Sequence, residues 1–340
     1  MMNLETVQLF LEEFLGKKSE KLVALPASGS ARMNFIGNST TEKWVITYNE
    51  NLLENEAFFY FSEVFSELKL NTPKIFKINE ERNLYIQEFL GDETLSEIIA
   101  KEGESERVKN LVKQTLERLF HLQSVTQNKI DFSRTFEYEK YDELPITHDL
   151  YYFKNYLADV LELQYHKSSL LKEFKQIAHK IENLQPQRLM IRDFQSRNIL
   201  VKENQVFFID YQAAMKGPAM YDVVSFLYQA KANFSENFKN EMLDYYFSFY
   251  KKEEKEALTE ALKYGQLIRF IQVLGAYGFR GLIQRKPHFI ASLDQGIKNL
   301  IEFAENETEI NLYPELKKLI LKLNSEESKN KIQRIVNDKR

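Results

Sequence analysis

Apolar and polar residues alternate along this chain at two different spacings, and the change from one to the other marks out its elements. Residues 1–18, MMNLETVQLFLEEFLGKK, mix acidic and apolar side chains, which predicts an amphipathic helix; the basic leading segment of an export signal is missing. Three short apolar or β-branched runs follow at residues 21–25, 32–36 and 43–48. Pro26-Ala27-Ser28-Gly29-Ser30 and Gly37-Asn38-Ser39-Thr40 separate them, so a small antiparallel meander is expected. Across residues 52–70, Leu53, Ala57, Tyr60, Phe61, Val64, Phe65 and Leu68 recur every three or four positions, which predicts a helix with one buried face ending at Thr72-Pro73. Residues 74–78 and 83–89 flank the polar turn Asn79-Glu80-Glu81-Arg82 and read as a hairpin.

Beyond Gly91 the spacing becomes almost wholly helical. Helices are predicted over residues 95–100, with Asp92 as N-cap, and over 105–122, 147–163 and 167–183, closed by Pro186. A compact strand signal returns at 188–191, 199–202 and 206–209, the last two joined by Glu203-Asn204-Gln205. From Gly217-Pro218 to Leu323 helix dominates again, and the charged tail is expected to fray. The pattern is that of an α+β protein: a β-rich part over residues 1–90 with a leading helix, a large, mostly helical part over 91–323, and a charged tail over 324–340.

Composition narrows the chemistry. With 46 Lys+Arg against 50 Asp+Glu, the net charge of −4 gives no basic field for nucleic acid. The absence of cysteine excludes disulfide scaffolds, zinc ribbons, iron–sulfur clusters and cysteine nucleophiles. The five histidines, His121, His148, His166, His179 and His288, are scattered, so any metal must be held mainly by oxygen. Glycine is scarce at 11, and neither a dinucleotide fingerprint nor a Walker-type phosphate loop occurs. No stretch approaches the roughly 18 apolar residues of a membrane span. A cytoplasmic protein with no membrane partner is expected.

One segment carries a recognisable constellation: Arg192-Asp193-Phe194-Gln195-Ser196-Arg197-Asn198, followed by Phe207-Phe208-Ile209-Asp210. A tight hairpin brings its two ends together, so Asn198 and Asp210 should face each other. An amide oxygen and a carboxylate so placed suit Mg²⁺, which keeps waters and takes further ligands from phosphates. Asp193, on the adjoining loop, can accept the proton of a hydroxyl attacking a γ-phosphoryl group.

These strings, with GPAMYDVVSF after them, resemble the catalytic and metal loops of the aminoglycoside phosphotransferase/choline kinase superfamily. The D-F-Q-S-R-N and I-D-Y-Q strings are most similar to bacterial N-acetylmuramate/N-acetylglucosamine anomeric sugar kinases. The similarity covers residues from about 20 to 300 and is most specific in the catalytic strings. It implies a protein-kinase-like bilobal fold, with a nucleotide-binding lobe over 1–90 and the catalytic and metal loops in the helical lobe. It also implies ATP, Mg²⁺ and a small hydroxyl-bearing acceptor. By that match Asp193 is the base and Asn198 and Asp210 bind the metal; the backbone around Gln87, Glu88 and Phe89 pairs with adenine. Asp222 matches a family aspartate and either braces the catalytic loop or simply favours a helix start.

Three positions depart from the family pattern. Ile191 stands where histidine is usual. The phosphate-covering loop, with Ser28, Gly29, Ser30 and Arg32, holds one glycine where protein kinases have three. No lysine occupies the middle of the strand over 43–48, so Arg32 or Lys43 is left as the phosphate-anchoring cation, with Glu56 as its acidic partner. Arg197 is a candidate for substrate or phosphate contact, and Arg192 for fixing the loop. The aromatic stretch over 142–154, with His148 and Asp149, forms either a sugar-binding wall or part of the core.

The resulting expectation is an ATP- and Mg²⁺-dependent small-molecule kinase, a monomer or weak homodimer, acting on an amino sugar of the N-acetylmuramate/N-acetylglucosamine type. Aminoglycoside, choline and homoserine kinases share the scaffold and remain alternatives. A catalytically degenerate module that binds nucleotide or a partner is the alternative of another class.

Overall fold

The computed structural model describes residues 3–26, 32–39 and 42–337. In chain order the elements are α1 (Leu4–Leu15), β1 (Lys21–Ala24), β2 (Met33–Asn38), β3 (Lys43–Tyr48), α2 (Leu52–Glu67), β4 (Ile75–Ile78), β5 (Leu84–Glu88), α3 (Leu95–Glu102) and α4 (Glu106–Val125). They continue with α5 (Glu143–Phe153), α6 (Lys167–Glu182), β6 (Gln187–Met190), β7 (Ile199–Lys202), β8 (Gln205–Phe208), β9 (Met215–Pro218) and α7 (Met220–Leu227). The remainder is helical: α8 (Glu236–Phe247), α9 (Lys255–Tyr277), α10 (Pro287–Asn306), α11 (Pro314–Lys322) and α12 (Glu326–Asn337).

The chain divides into two compact units, residues 1–139 with 191–215, and residues 140–190 with 216–340. The expected boundary near residue 90 falls inside the first unit, because α3 and α4 pack on the β7–β8 hairpin: Val201 N–H donates to Glu93 O at 2.9 Å and Val206 N–H to Gln114 Oε1 at 2.8 Å.

In the first unit, five antiparallel strands run in the order β1-β2-β3-β5-β4. Side chains alternate across the sheet. Phe35, Trp44, Ile46, Leu84 and Ile86 point to one face, where Val7, Phe10 and Leu11 of α1 cover them. Gly37 is required there, since a Cβ would meet Leu11 Cδ2 at 2.3 Å. On the other face Tyr85 packs against Phe58 and Phe59 of α2 at 5.4 and 5.1 Å between ring centroids.

Helix α2 forms as expected, capped by Asn51 on Glu54 N–H, but Leu53 lies outside its buried face and is 71% exposed. The cap of α3 also differs from the expected Asp92. Thr94 accepts from Glu97 N–H while Glu97 Oε2 accepts from Thr94 N–H at 2.8 Å, a reciprocal capping box.

In the second unit α9 is the axis on which α5, α7 and α10 pack. The helix expected over 147–163 begins earlier, at Glu143, and changes to π-helical turns over residues 154–158. A second π-helical segment follows α9 over residues 278–283. The two approach backbone to backbone: a Cβ at Gly275 would meet Phe153 N at 2.7 Å, and one at Gly278 would meet Tyr156 O at 2.2 Å. The tail is helical as far as Asn337, with Arg285 Nη1 donating to the Ile335 carbonyl near its end.

Candidate active site

The segment after residue 190 turns sharply. Arg192 adopts a left-handed φ of 72°, and Asp193 N–H donates to Ile191 O at 3.0 Å. The turn leaves the Asp193 side chain 46% exposed, with Arg197 Nη2 at 3.9 Å from its carboxylate. Phe194, buried beneath, packs edge-on against Phe208 at 4.8 Å and anchors the loop to the hairpin.

The β7–β8 ladder, with Ile199 opposite Phe208, brings the two ends of the hairpin together. Ile209 N–H donates to Asn198 O at 3.0 Å, and Asn198 Nδ2 donates both to Asp193 O at 2.9 Å and to Asp210 Oδ2 at 3.2 Å. Asp210 itself has a φ of 65°. That conformation is uncommon outside glycine, though aspartate tolerates it better than most residues. The residue after it, Tyr211, is fully buried: it stacks on Phe58 at 5.1 Å, meets Phe65 at 5.0 Å, and shares a 2.7 Å hydrogen bond with Ser62 Oγ. Helix α2 therefore locates Asp210 through its neighbour.

Arg32, immediately before β2, completes the arrangement. Its Nη1 lies 3.1 Å from Asp210 Oδ1 and its Nη2 donates to Glu54 Oε1, with only 14% of the side chain exposed. Burial opposes its charge, but Asp210 and Glu54 outweigh burial and raise the guanidinium's pKa above its ordinary value. Asn49 Nδ2 holds the second Glu54 oxygen at 2.8 Å. On the same sheet face Thr47 Oγ1 donates to Asn34 Oδ1 at 2.8 Å and accepts from Gln87 Nε2 at 3.0 Å. The adjacent Tyr85 hydroxyl is pushed up to about 12 by burial, so it stays protonated at neutral pH.

Among the described residues no group of three or more His, Cys, Asp or Glu side chains forms a metal cage. Asn198 and Asp210 form a sparser oxygen pair. Beside them Gln212 Nε2 donates to Asp210 Oδ1 at 3.0 Å, while Gln212 Oε1 is buried with no hydrogen-bond partner among the described residues. A carboxylate, an amide and an orphaned acceptor suit a hydrated Mg²⁺: Asp210 and Asn198 would hold it, and Gln212 would accept from water that the ion carries.

Other expected site residues fall elsewhere. Ser28, Gly29 and Ser30 lie outside the described residues. Glu56 is not the partner of Arg32; it sits on the exposed side of α2 and pairs with Arg82. The acidic partner is Glu54, four residues before Phe58 on the stripe that continues to Phe61 and Phe65, so helical periodicity could have singled it out. Lys43, at the strand start, pairs with Asp92 at 3.6 Å and lies over the Phe89 ring at 5.0 Å. The Glu88 N–H already donates to Lys74 O at 2.8 Å. In the second unit His148 is exposed and stacks on Tyr152 at 5.7 Å. Asp149, expected as a substrate contact, is instead buried and accepts from Tyr141 Oη at 2.8 Å, a packing role. Thr47, Glu54, Tyr211 and Gln212 were not singled out by the sequence.

A family model for phosphotransferase enzymes matches residues 25–260, and the chain belongs to that family. It is accordingly an enzyme that transfers a phosphoryl group to an alcohol acceptor. Solved structures share its protein-kinase-like fold. The ADP-bound aminoglycoside phosphotransferase APH(2'')-Ib is 17% identical with a TM-score of 0.59, over 89% of this chain and 99% of that one. Choline kinase LicA from Streptococcus pneumoniae is 11% identical with a TM-score of 0.59, over 88% and 98%. The gentamicin complex of APH(2")-IIa is 20% identical with a TM-score of 0.57, over 88% and 97%. No curated protein sequence matches the chain significantly.

Proposed function

We propose that this enzyme is an ATP- and Mg²⁺-dependent kinase that phosphorylates the anomeric hydroxyl of an amino sugar of the N-acetylmuramate/N-acetylglucosamine type. The observation that carries the kinase reading is the meeting of Asn198 and Asp210 at the hairpin ends, one short loop from Asp193. The acceptor rests on the D-F-Q-S-R-N and I-D-Y-Q strings, with Arg197 as a candidate contact.

In this mechanism Asp193 accepts the proton of the acceptor hydroxyl as its oxygen attacks the γ-phosphorus. Its side chain is 46% exposed. Asn198 and Asp210 would hold the metal, and Gln212 orients Asp210 by donating to its Oδ1. Bound there, Mg²⁺ neutralises the phosphate oxygens. Arg32 takes the role of phosphate-anchoring cation, held in place by Glu54. The protein's setting is the cytoplasm, where ATP is available.

Acceptor-dependent formation of ADP from ATP, measured across a panel of N-acetylated hexosamines, aminoglycosides, choline and homoserine, tests the reading. Turnover is expected to be highest on an N-acetylated sugar with a free anomeric hydroxyl. Preference for an aminoglycoside or an amino alcohol would replace the sugar assignment. A second reading, a nucleotide-binding module without catalysis, is favoured by Thr47 and the absence of any lysine in mid-strand β3. It predicts nucleotide binding with no turnover on any acceptor.

A further inference from the structure

Arg32 spans two carboxylates with different duties. Glu54 belongs to α2, while Asp210 is one of the two groups proposed to hold the metal. Oδ1 of Asp210 accepts from both Arg32 and Gln212, which takes up its two lone pairs, while Oδ2 accepts from Asn198 alone. A divalent cation needs a lone pair on that carboxylate, and the guanidinium is itself a cation. The two compete for one site by charge and by geometry.

We propose that Arg32 replaces the usual strand lysine as the phosphate anchor and also keeps the divalent metal off Asp210 until nucleotide arrives. This deepens the kinase reading and rests on it. The forked guanidinium makes the exchange feasible. Nη2 stays on Glu54 while Nη1, released from Asp210, turns to a phosphate oxygen that brings the metal with it. A lysine has one nitrogen and could not keep one partner while exchanging the other. Lys43 is excluded as the anchor by its place at the strand start, engaged with Asp92 and Phe89. Thr47, inside the strand, is uncharged and already bonded to Asn34 and Gln87. Asn49 and Asn51 fix Glu54 and the start of α2, so the anchored arm is rigid while the other is exchangeable.

The metal and nucleotide should therefore bind cooperatively, and the cooperativity should depend on Arg32. The test is titration of the full chain with Mn²⁺, followed by electron paramagnetic resonance of free Mn²⁺, with and without ADP, the Mn²⁺ held by ADP alone being measured in protein-free titrations and subtracted. In the native protein ADP is expected to tighten Mn²⁺ binding at least tenfold. Arg32→Gln is expected to bind Mn²⁺ alone at least tenfold more tightly than the native chain, with ADP adding less than threefold. Arg32→Lys, which keeps the charge and serves if the glutamine variant does not fold, should fall between the two. Unchanged Mn²⁺ affinity in both variants, in a protein where Asp210→Asn abolishes the ADP-dependent site, overturns the proposal and leaves the kinase reading standing. Absence of any ADP-dependent Mn²⁺ site in the native chain overturns both.

Discussion

The two faces of the five-stranded sheet are built from alternate residues of the same strands, yet they do opposite work. The face under α1 is dry: Phe35, Ile46 and Ile86 lie side by side in register, and Gly37 leaves room for Leu11. The other face carries Asn34, Thr47 and Gln87 in one hydrogen-bonded row, with Arg32 at its edge. Burying polar groups costs free energy unless each is paired, and here they pair with one another. One face is packed mainly by apolar side chains of α1, with Lys77 at its edge over Phe10 and paired with Glu13; the other supplies a preorganised polar surface and takes its packing from the aromatic rings of α2 and Tyr211. Alternation by single residues lets four- to six-residue strands serve both ends.

The separation can be tested by substitutions that should act on one side only. Asp193→Asn, in the loop the polar face serves, should lower kcat by about 10²- to 10⁴-fold, the usual worth of a general base. Binding of Mg–ADP should persist; retained turnover in a steady-state assay would remove Asp193 as the base. Leu11→Ala, on the dry face, should destabilise the fold by about 2–5 kcal/mol, read by urea unfolding, while the KM for nucleotide stays within twofold. Glu54→Gln should raise the KM for nucleotide by about tenfold with a small change in stability, because Arg32 loses its fixed partner but not the fold. Glu56→Gln should change that KM by less than twofold, since its pair with Arg82 is solvent-exposed and worth at most about 1 kcal/mol. If the two glutamate variants behaved alike, the assignment of Glu54 over Glu56 would fail.

What could be read from the sequence was mostly local. The strands of the first unit and the approach of Asn198 to Asp210 follow from alternation and a tight hairpin, both properties of neighbouring residues. The protein-kinase-like fold followed from the catalytic strings. Other features were local but overlooked: Thr94 to Glu97 spells a capping box, and Glu54 continues the stripe of Phe58, Phe61 and Phe65. Two features lay beyond any local pattern. The partner of Arg32 is 178 positions away at Asp210, so spacing alone left Arg32 and Lys43 equal candidates. The change from α- to π-helical turns after Phe153 coincides with close backbone contact at Gly275 and Gly278, more than a hundred residues later. Asp149 differs, since its partner Tyr141 is only eight residues away; spacing alone does not tell a buried carboxylate from a substrate contact.

The first unit is discontinuous: the chain leaves it after Glu139 and returns at Ile191. Arg32, Glu54 and Thr47 are made early, whereas Asp193, Asn198 and Asp210 are made late, and Phe208 N–H closes the two parts together on Asn71 O at 2.8 Å. At about 5–20 residues per second of synthesis, roughly six to twenty-five seconds pass between Glu88, the end of the last strand of the sheet, and Tyr211. Until then the polar face of the sheet has no Tyr211 to pack against α2 and no Asp210 to neutralise Arg32. The nascent chain must carry a half-built, charged and aromatic surface for that whole interval, the kind of transiently exposed surface that makes folding intermediates prone to aggregate.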